Sequence, residues 1–176
     1  MCESRRGQGW KVEMSTPSAH SGFEEFFRHE YQGLCRAMLL LTGNRAEAEE
    51  CVEEALVRVL SRWNDVRVMA SPTGYTFVTA ANVFRRRRRR DARHRPLASL
   101  REVPDDQSER LDARLSVLDG MQNLSLRQRQ AIVLVDFLGF TSGEAGRLLG
   151  LRDSSVRSEL HRARTVLSAK LKDGEQ

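Results

Sequence analysis

Six consecutive arginines, Arg85 to Arg90, follow Asn82 and Phe84 and are trailed by Arg93 and Arg95. Guanidinium groups at that density neutralise phosphates, with an affinity that falls as salt rises. The amide of Asn82 and the nearby aromatics Tyr75, Phe77 and Phe84 are suited to hydrogen-bond to, or stack on, unstacked bases. Pulling a base from a duplex costs on the order of a few kcal/mol, so opened DNA needs such a pocket. The competing reading is a solvated charge run or a flexible basic tail. The segment from Phe84 to Arg95 carries +7 while the whole chain carries +5, leaving about −2 elsewhere, so the basicity is local.

A second constellation lies in "TSGEAGRLLGLRDSSVRSELHRAR". Thr141 and Glu144 stand at capping-box spacing and open a short helix through Leu149. Gly150 occupies a sharp turn that requires positive φ, and Leu151 fills the space beneath it. Asp153 caps a further helix with Val156, Leu160, Ala163, Leu167 and Leu171 facing inward. Helix, short Gly turn and second helix is the spacing of a helix-turn-helix, whose second helix enters a major groove. Its outer positions are Arg157, Ser158, His161, Arg162 and Arg164, and from Arg152 to Lys172 it carries six bases against two acids. Such a face offers donors to base edges and to phosphates.

A third feature is acidic. Asn44 and Glu47 stand at capping spacing, and the helix that follows carries Glu47, Glu49, Glu50, Glu53 and Glu54 outside a stripe of Val52, Ala55, Val59 and Trp63. Carboxylates there would weaken DNA binding if turned toward it, so the face suits a protein partner. No HExxH, Gly-rich phosphate loop or nucleophile motif accompanies them, and no enzymatic activity is expected. His20, His29, His94 and His161 are scattered, and Cys2, Cys35 and Cys51 have neither CxxC nor Cys/His pairing. No metal site and no cofactor are expected.

The positioning elements are helical throughout. At 176 residues, 40% apolar and 30% charged, the chain has a globular composition with room for two small cores. Residues 1–21 read as a flexible tail, with Met14 as an alternative start. Phe23, Phe27, Tyr31, Leu34, Met38 and Leu41 form one face of a first helix, stopped by Gly43. Ser71 caps and Pro72 begins a helix that runs into the arginines. Residues 96–114 read as an acidic linker, since "PLASLREVPDDQSERLDARLS" holds five acids against three bases. Periodicity returns over 115–172, where Leu124, Ala131, Val135 and Leu138 favour helix over strand, and 173–176 form a short tail. No segment approaches the roughly 18 apolar residues of a membrane span, no secretory signal is present, and the chain is expected in the cytoplasm.

The order of parts resembles the extracytoplasmic-function (ECF) group of RNA polymerase sigma factors, in the sigma-70 superfamily. The resemblance is carried by "AEECVEEAL…SRW", by a helix entering arginines, by the acidic linker and by a helix-turn-helix ending "SELHRAR". "FEEF", "LLTG" and the arginine-rich end are similar to the actinobacterial sigma-E type. It implies an all-α protein with a region 2 helical bundle over 22–95 and a region 4 helix-turn-helix over 115–172, joined by a flexible linker. It implies a dissociable promoter-specificity subunit, with RNA polymerase core (β′ clamp and β flap) and promoter DNA as partners. Two linked domains would also offer an anti-sigma factor a target to clamp, although the sequence does not say whether one exists.

Residue by residue, Glu50, Val52, Glu53 and Glu54 match the helix that docks on the β′ clamp, and Trp63 matches its closing aromatic. Asn82 matches the residue that helps capture a flipped −10 base, and Arg85, Arg86, Arg88 and Arg89 match the surface along the adjacent backbone. Arg157, Ser158 and His161 match positions reading the −35 element, with Arg162 on a phosphate. Three departures stand out. Glu53 replaces a usual Gln, Phe77 and Val78 stand where relatives often carry Arg, and Ala145 and Gly146 replace Ile and Ala. A helical Gly costs about 1 kcal/mol relative to Ala, which predicts a less rigid region 4. Two other readings remain open: a conventional helix-turn-helix regulator without core docking, and an RNA-binding or protein-interaction adaptor using the arginines.

Overall fold

The computed structural model describes residues 22–94 and 117–173, all of whose regular elements are helices. The expected N-terminal tail, the acidic linker, residues 174–176 and the side chain of Leu171 lie outside the described residues.

Helix α1 spans Phe23–Thr42 and buries Leu34, Ala37, Met38, Leu41 and Thr42. Gly43 ends it with φ 76°, a conformation that costs a side chain with Cβ but not glycine. The first turns depart from the predicted stripe. Phe27 is 40% exposed, while Phe26 turns inward and sits 5.1 Å from the Trp63 ring, with Phe23 at 5.4 Å. The start of the helix overlies a separate aromatic cluster, so the buried direction there is set by Trp63 rather than by the main core. Phe27 stacks instead on Tyr31, with ring centroids 5.0 Å apart.

Helix α2, Arg45–Leu60, begins at Asn44, whose Oδ1 accepts from the Glu47 backbone N–H at 2.8 Å. The reciprocal half of the box is filled otherwise, because the Asn44 N–H donates to Thr42 Oγ1 at 3.2 Å. Ala48, Cys51, Val52, Ala55, Leu56 and Val59 are buried. The stripe expected to continue to Trp63 breaks after Leu60, and Trp63 belongs to a one-turn helix α3, Trp63–Val66. Val59, Trp63 and Val66 form a small cluster with Phe23, Phe26 and Tyr75.

Helix α4, Pro72–His94, carries the arginine run as regular helix. Ser71 Oγ accepts from the Gly74 N–H at 3.0 Å, as a cap should. Phe77, Ala80, Ala81, Val83 and Phe84 point inward and pack α4 against α1 and α2.

In the second half, residues 117–122 are helical (α5), and α6 spans Leu126–Ile132. Ser125 and Gln128 close a full capping box, with Ser125 N–H to Gln128 Oε1 at 2.8 Å. The run read as helix rather than strand is helical, but over Val133–Phe137 it widens into a π turn, with Leu138 N–H bonding to Val133 O at 2.9 Å. Helix α7, Ser142–Leu149, and helix α8, Asp153–Asp173, complete the helix-turn-helix. Thr141 and Glu144 close the predicted box, and Gly150 adopts φ 67°. Val156, Leu160 and Ala163 are buried as predicted.

Gly146 has a packing reason. A Cβ at that position would lie 2.8 Å from the backbone oxygen of Leu151, whose N–H bonds to Gly146 O at 2.8 Å. Its absence lets the turn close against α7, so the glycine tightens the motif that helix propensity alone predicted to be loose.

The two expected cores are joined. One apolar cluster runs from Leu34, Met38 and Leu41 through Phe77 and Phe84 to Leu134, Val156 and Leu160. Helix α1 meets α6 and the π turn, and α4 meets α7. Half-buried apolar residues on both halves, Leu39 and Val78 on one and Leu126 and Leu148 on the other, pack against this common core. Burying such faces together is favoured at about 25 cal/mol per Å² of apolar surface.

Candidate polymerase and nucleic-acid interface

The outer side of α2 carries Glu50 and Glu53 exposed and Glu54 half-buried. Arg87, the third arginine of the run, reaches across from α4: its Nη2 is 2.9 Å from Glu54 Oε2, and its Nη1 donates to Glu50. Arg58 also donates to Glu54. The Arg87 hydrogen bond, with the charge of Arg58 beside it, holds the Glu54 carboxyl below its usual range. Glu53 accepts from Tyr31 Oη at 3.3 Å, and Tyr31 is pushed up to about 12 by burial and then by Cys35 and Glu53. Tyr31 therefore stays a donor at neutral pH.

Two residues of the expected docking set are not on the surface. Val52 is fully buried between helices and Trp63 is 6% exposed in the aromatic cluster, because each falls on the inward side of its helix. The exposed apolar residue of this face is Val57, at 68%, one turn beyond Glu53. Sequence reasoning passed it over, although its place off the Val52, Ala55, Val59 stripe marked it as outward.

Asn82 and Arg85 are half-exposed, and Arg86, Arg88 and Arg89 are exposed. The guanidinium of Arg88 lies 5.8 Å over the Phe84 ring. Two of the aromatics expected to stack on bases do not reach solvent, Phe77 being fully buried and Phe84 4% exposed, and Tyr75 is half-buried against the Trp63 cluster. Asn82, Arg85 and Arg89 instead line a cavity of about 410 Å³, closed on its far side by Arg127, Leu148, Leu149 and Leu151. The polar groups this face presents are thus the amide of Asn82 and the guanidiniums of Arg85, Arg86, Arg88 and Arg89.

On α8, Arg157, Ser158, His161 and Arg162 are all exposed on one side of the helix. Asp153 Oδ2 holds Arg157 at 3.0 Å, and Ser158 Oγ donates to Ser154 O at 3.0 Å. Arg164 makes a two-pronged bond to Asp136, 3.1 Å from Nε and 2.5 Å from Nη2, which pins α8 to the π turn. Such fork geometry fixes orientation as well as distance. Cys51 is pushed up to about 11 by burial, so it remains a thiol packed in the core. Among the described residues no His, Cys, Asp and Glu cluster could hold a metal, and no helix is long and apolar enough to cross a membrane.

A helical bundle bearing an acidic face, joined to a helix-turn-helix with an exposed basic recognition helix, defines a two-domain DNA-binding protein. Comparison narrows the class. Residues 26–94 match the model of sigma-70 region 2, and residues 114–167 that of sigma-70 region 4. The chain is 30% identical over 137 residues to the ECF RNA polymerase sigma factor EcfG of Rhodopseudomonas palustris, covering 74% of this chain and 75% of that one. It is 28% identical over 154 residues to the RNA polymerase sigma-E factor of Streptomyces coelicolor, covering 85% of each. With the ECF sigma factor SigM of Mycobacterium tuberculosis it shares 26% over 148 residues, 83% of this chain and 75% of that one. The solved sigma factor RpoE of Bartonella quintana, in complex with the anti-sigma factor NepR, has the same fold, with a TM-score of 0.72 and 21% identity over 85% of this chain and 96% of that one. The chain belongs to the ECF sigma factors, which direct RNA polymerase to promoters.

Proposed function

We propose that the labour of promoter recognition is divided among three faces of this chain. Glu50, Glu53 and Glu54, with Val57 as the apolar contact, dock on the core polymerase at its β′ clamp. Exposed apolar residues ringed by charge are the usual carriers of affinity at such interfaces. Asn82 with Arg85, Arg86, Arg88 and Arg89 grips the melted −10 strand, the amide hydrogen-bonding to a base and the guanidiniums following the phosphates. Arg157, Ser158 and His161 read the −35 duplex, with Arg162 on its backbone.

The observation that carries this reading is the separation of charge. Glu53 and Val57 are exposed on α2, while Arg157, Ser158, His161 and Arg162 are exposed together on α8. Opposite partners, a protein and a polyanion, are served by distinct elements. The protein carries out no bond-making step itself, nucleotidyl transfer belongs to the polymerase, and its place of work is the cytoplasm where that enzyme acts. Region 2 is assigned to 22–95 and region 4 to 115–172.

The test is run-off transcription by purified core polymerase on a library of promoter fragments, with and without the protein. New start sites sharing an upstream and a −10 element support the assignment. Unchanged starts alongside strong duplex binding by the protein alone would return it to a conventional regulator.

A further inference from the structure

Val78, Asn82, Arg85 and Arg89 recur at steps of four, three and four, which places them on one stripe of α4. That stripe forms one wall of the cavity of about 410 Å³, a volume within the ordinary range of small-molecule sites. The facing wall comes from α6, α7 and the turn after α7, through Leu126, Arg127, Gln130, Leu148, Leu149 and Leu151. Gly74 admits the approach, since a Cβ there would lie 2.5 Å from Leu148 Cδ1. Arg129 ties α6 to the end of α1, its Nη1 donating to Leu41 O at 2.8 Å.

The lining is unbalanced. Arg85, Arg89 and Arg127 bring three cations to it, and no acid among the described residues lines it. Their mutual repulsion favours a polyanion between them. Arg87, on another side of α4, is by contrast answered by Glu50 and Glu54. Gln130 adds an independent observation: it lines the cavity, is 4% exposed, and its Nε2 has no hydrogen-bond partner among the described residues. A buried donor left unpaired is costly, and an acceptor lodged in the cavity would remove that cost. Exposed Arg89 and Arg127 mark the mouth, whereas buried Gln130 and the half-buried apolar residues mark the interior. Phosphates suit such a mouth, and a nucleobase suits such an interior, because Leu126, Leu148 and Leu149 offer its flat face an apolar wall. Amides such as those of Asn82 and Gln130 pair with a purine edge, adenine above all.

We infer that this cavity binds a purine nucleoside triphosphate, with its phosphates among Arg85, Arg89 and Arg127 and its base against the leucines, edge toward Asn82 and Gln130. Arg127 and Gln130 have no part in the −10 reading, so the proposal is independent of it. The full-length protein is titrated by calorimetry, at physiological salt, with ATP and separately with tripolyphosphate, the phosphate chain alone. Saturable binding of ATP is expected, with tripolyphosphate at least about tenfold weaker because it leaves the apolar wall and the amides unused. Arg127→Gln, at an exposed position, should weaken ATP about tenfold, the effect of one charge-assisted hydrogen bond. Gln130→Leu should weaken ATP severalfold while keeping or raising the melting temperature of the free chain, since it removes an unpaired donor. Arg90→Gln, exposed and outside the lining, should leave ATP binding as it is. Equal affinity for ATP and tripolyphosphate, or a loss in Arg90→Gln as large as in Arg127→Gln, would reduce the effect to general attraction by the arginine run and overturn the site. Absence of saturable ATP binding would also overturn it, as would a folded Gln130→Leu that binds ATP like wild type.

Discussion

Arg87 lies 2.9 Å from Glu54 and faces the acidic helix, whereas its neighbours Arg86 and Arg88 face solvent. Within a run of six identical residues, helical periodicity gives one a structural task. Arg87 joins the element proposed to dock on polymerase to the one proposed to hold DNA. Arg87→Met should lower stability by about 1 kcal/mol, a modest sum because both partners are partly solvated and screened. The check is the urea midpoint at constant slope.

The same pair sets a pH dependence. Glu54 has a folded pKa below its ordinary value, so its stabilisation is fully present above the ordinary carboxylate range and is lost as pH falls through the depressed value. Urea midpoints of wild type and Arg87→Met should therefore differ at neutral pH and converge in acid. A gap that stays constant down to acid pH would assign the stability difference to packing of the Arg87 stem.

Core docking should depend on exposed residues whose replacement costs the fold little. Val57→Asp and Glu53→Lys alter exposed positions. Each should leave the melting temperature within about 2 °C, since surface changes usually stay within about 0.5 kcal/mol. Together they should weaken co-purification with core polymerase at least about tenfold, as loss of an interface anchor does. Glu50→Lys with Glu54→Lys should also abolish docking, but would leave Arg87 facing two cations and so lower stability as well.

Arg157→Ala should remove about 1 to 3 kcal/mol of preference at one upstream base. Asp153 holds the Arg157 side chain in the free protein, so Asp153→Ala should loosen its placement without removing the donor. Start-site profiles on single-base promoter variants distinguish the two. An unchanged preference with Arg157→Ala would remove α8 from base readout.

Gly146→Ala should destabilise region 4 although alanine is the better helix former. The propensity gain of about 1 kcal/mol is outweighed by a Cβ placed 2.8 Å from the Leu151 backbone oxygen, for a net loss of roughly 1 to 2 kcal/mol. Thermal melting of the full chain reads the sign directly.

Local chemistry was legible in the sequence. Asn44, Ser71, Thr141 with Glu144, Gly43 and Gly150 each act within a few residues of chain, and these caps and turns are observed, whereas Asp153, read as a cap, lies inside the first turn of α8 and pairs with Arg157. Ser125 with Gln128 carried the same signal and went unread. The helical path of the arginines and the outward face of α8 follow from periodicity alone.

Tertiary structure decided what separates exposed from buried on elements whose stripes are wide. Phe77 and Phe84, suited by type to stack on bases, are consumed by the core. Arg129 reaches a carbonyl 88 residues away, and the two apolar faces merge into one core. Caps and periodicity arise from bonds among near neighbours, which composition and spacing encode. The docking of region 4 on region 2 arises from shape and from carbonyls left free at a helix end, and these exist only once the helices are assembled.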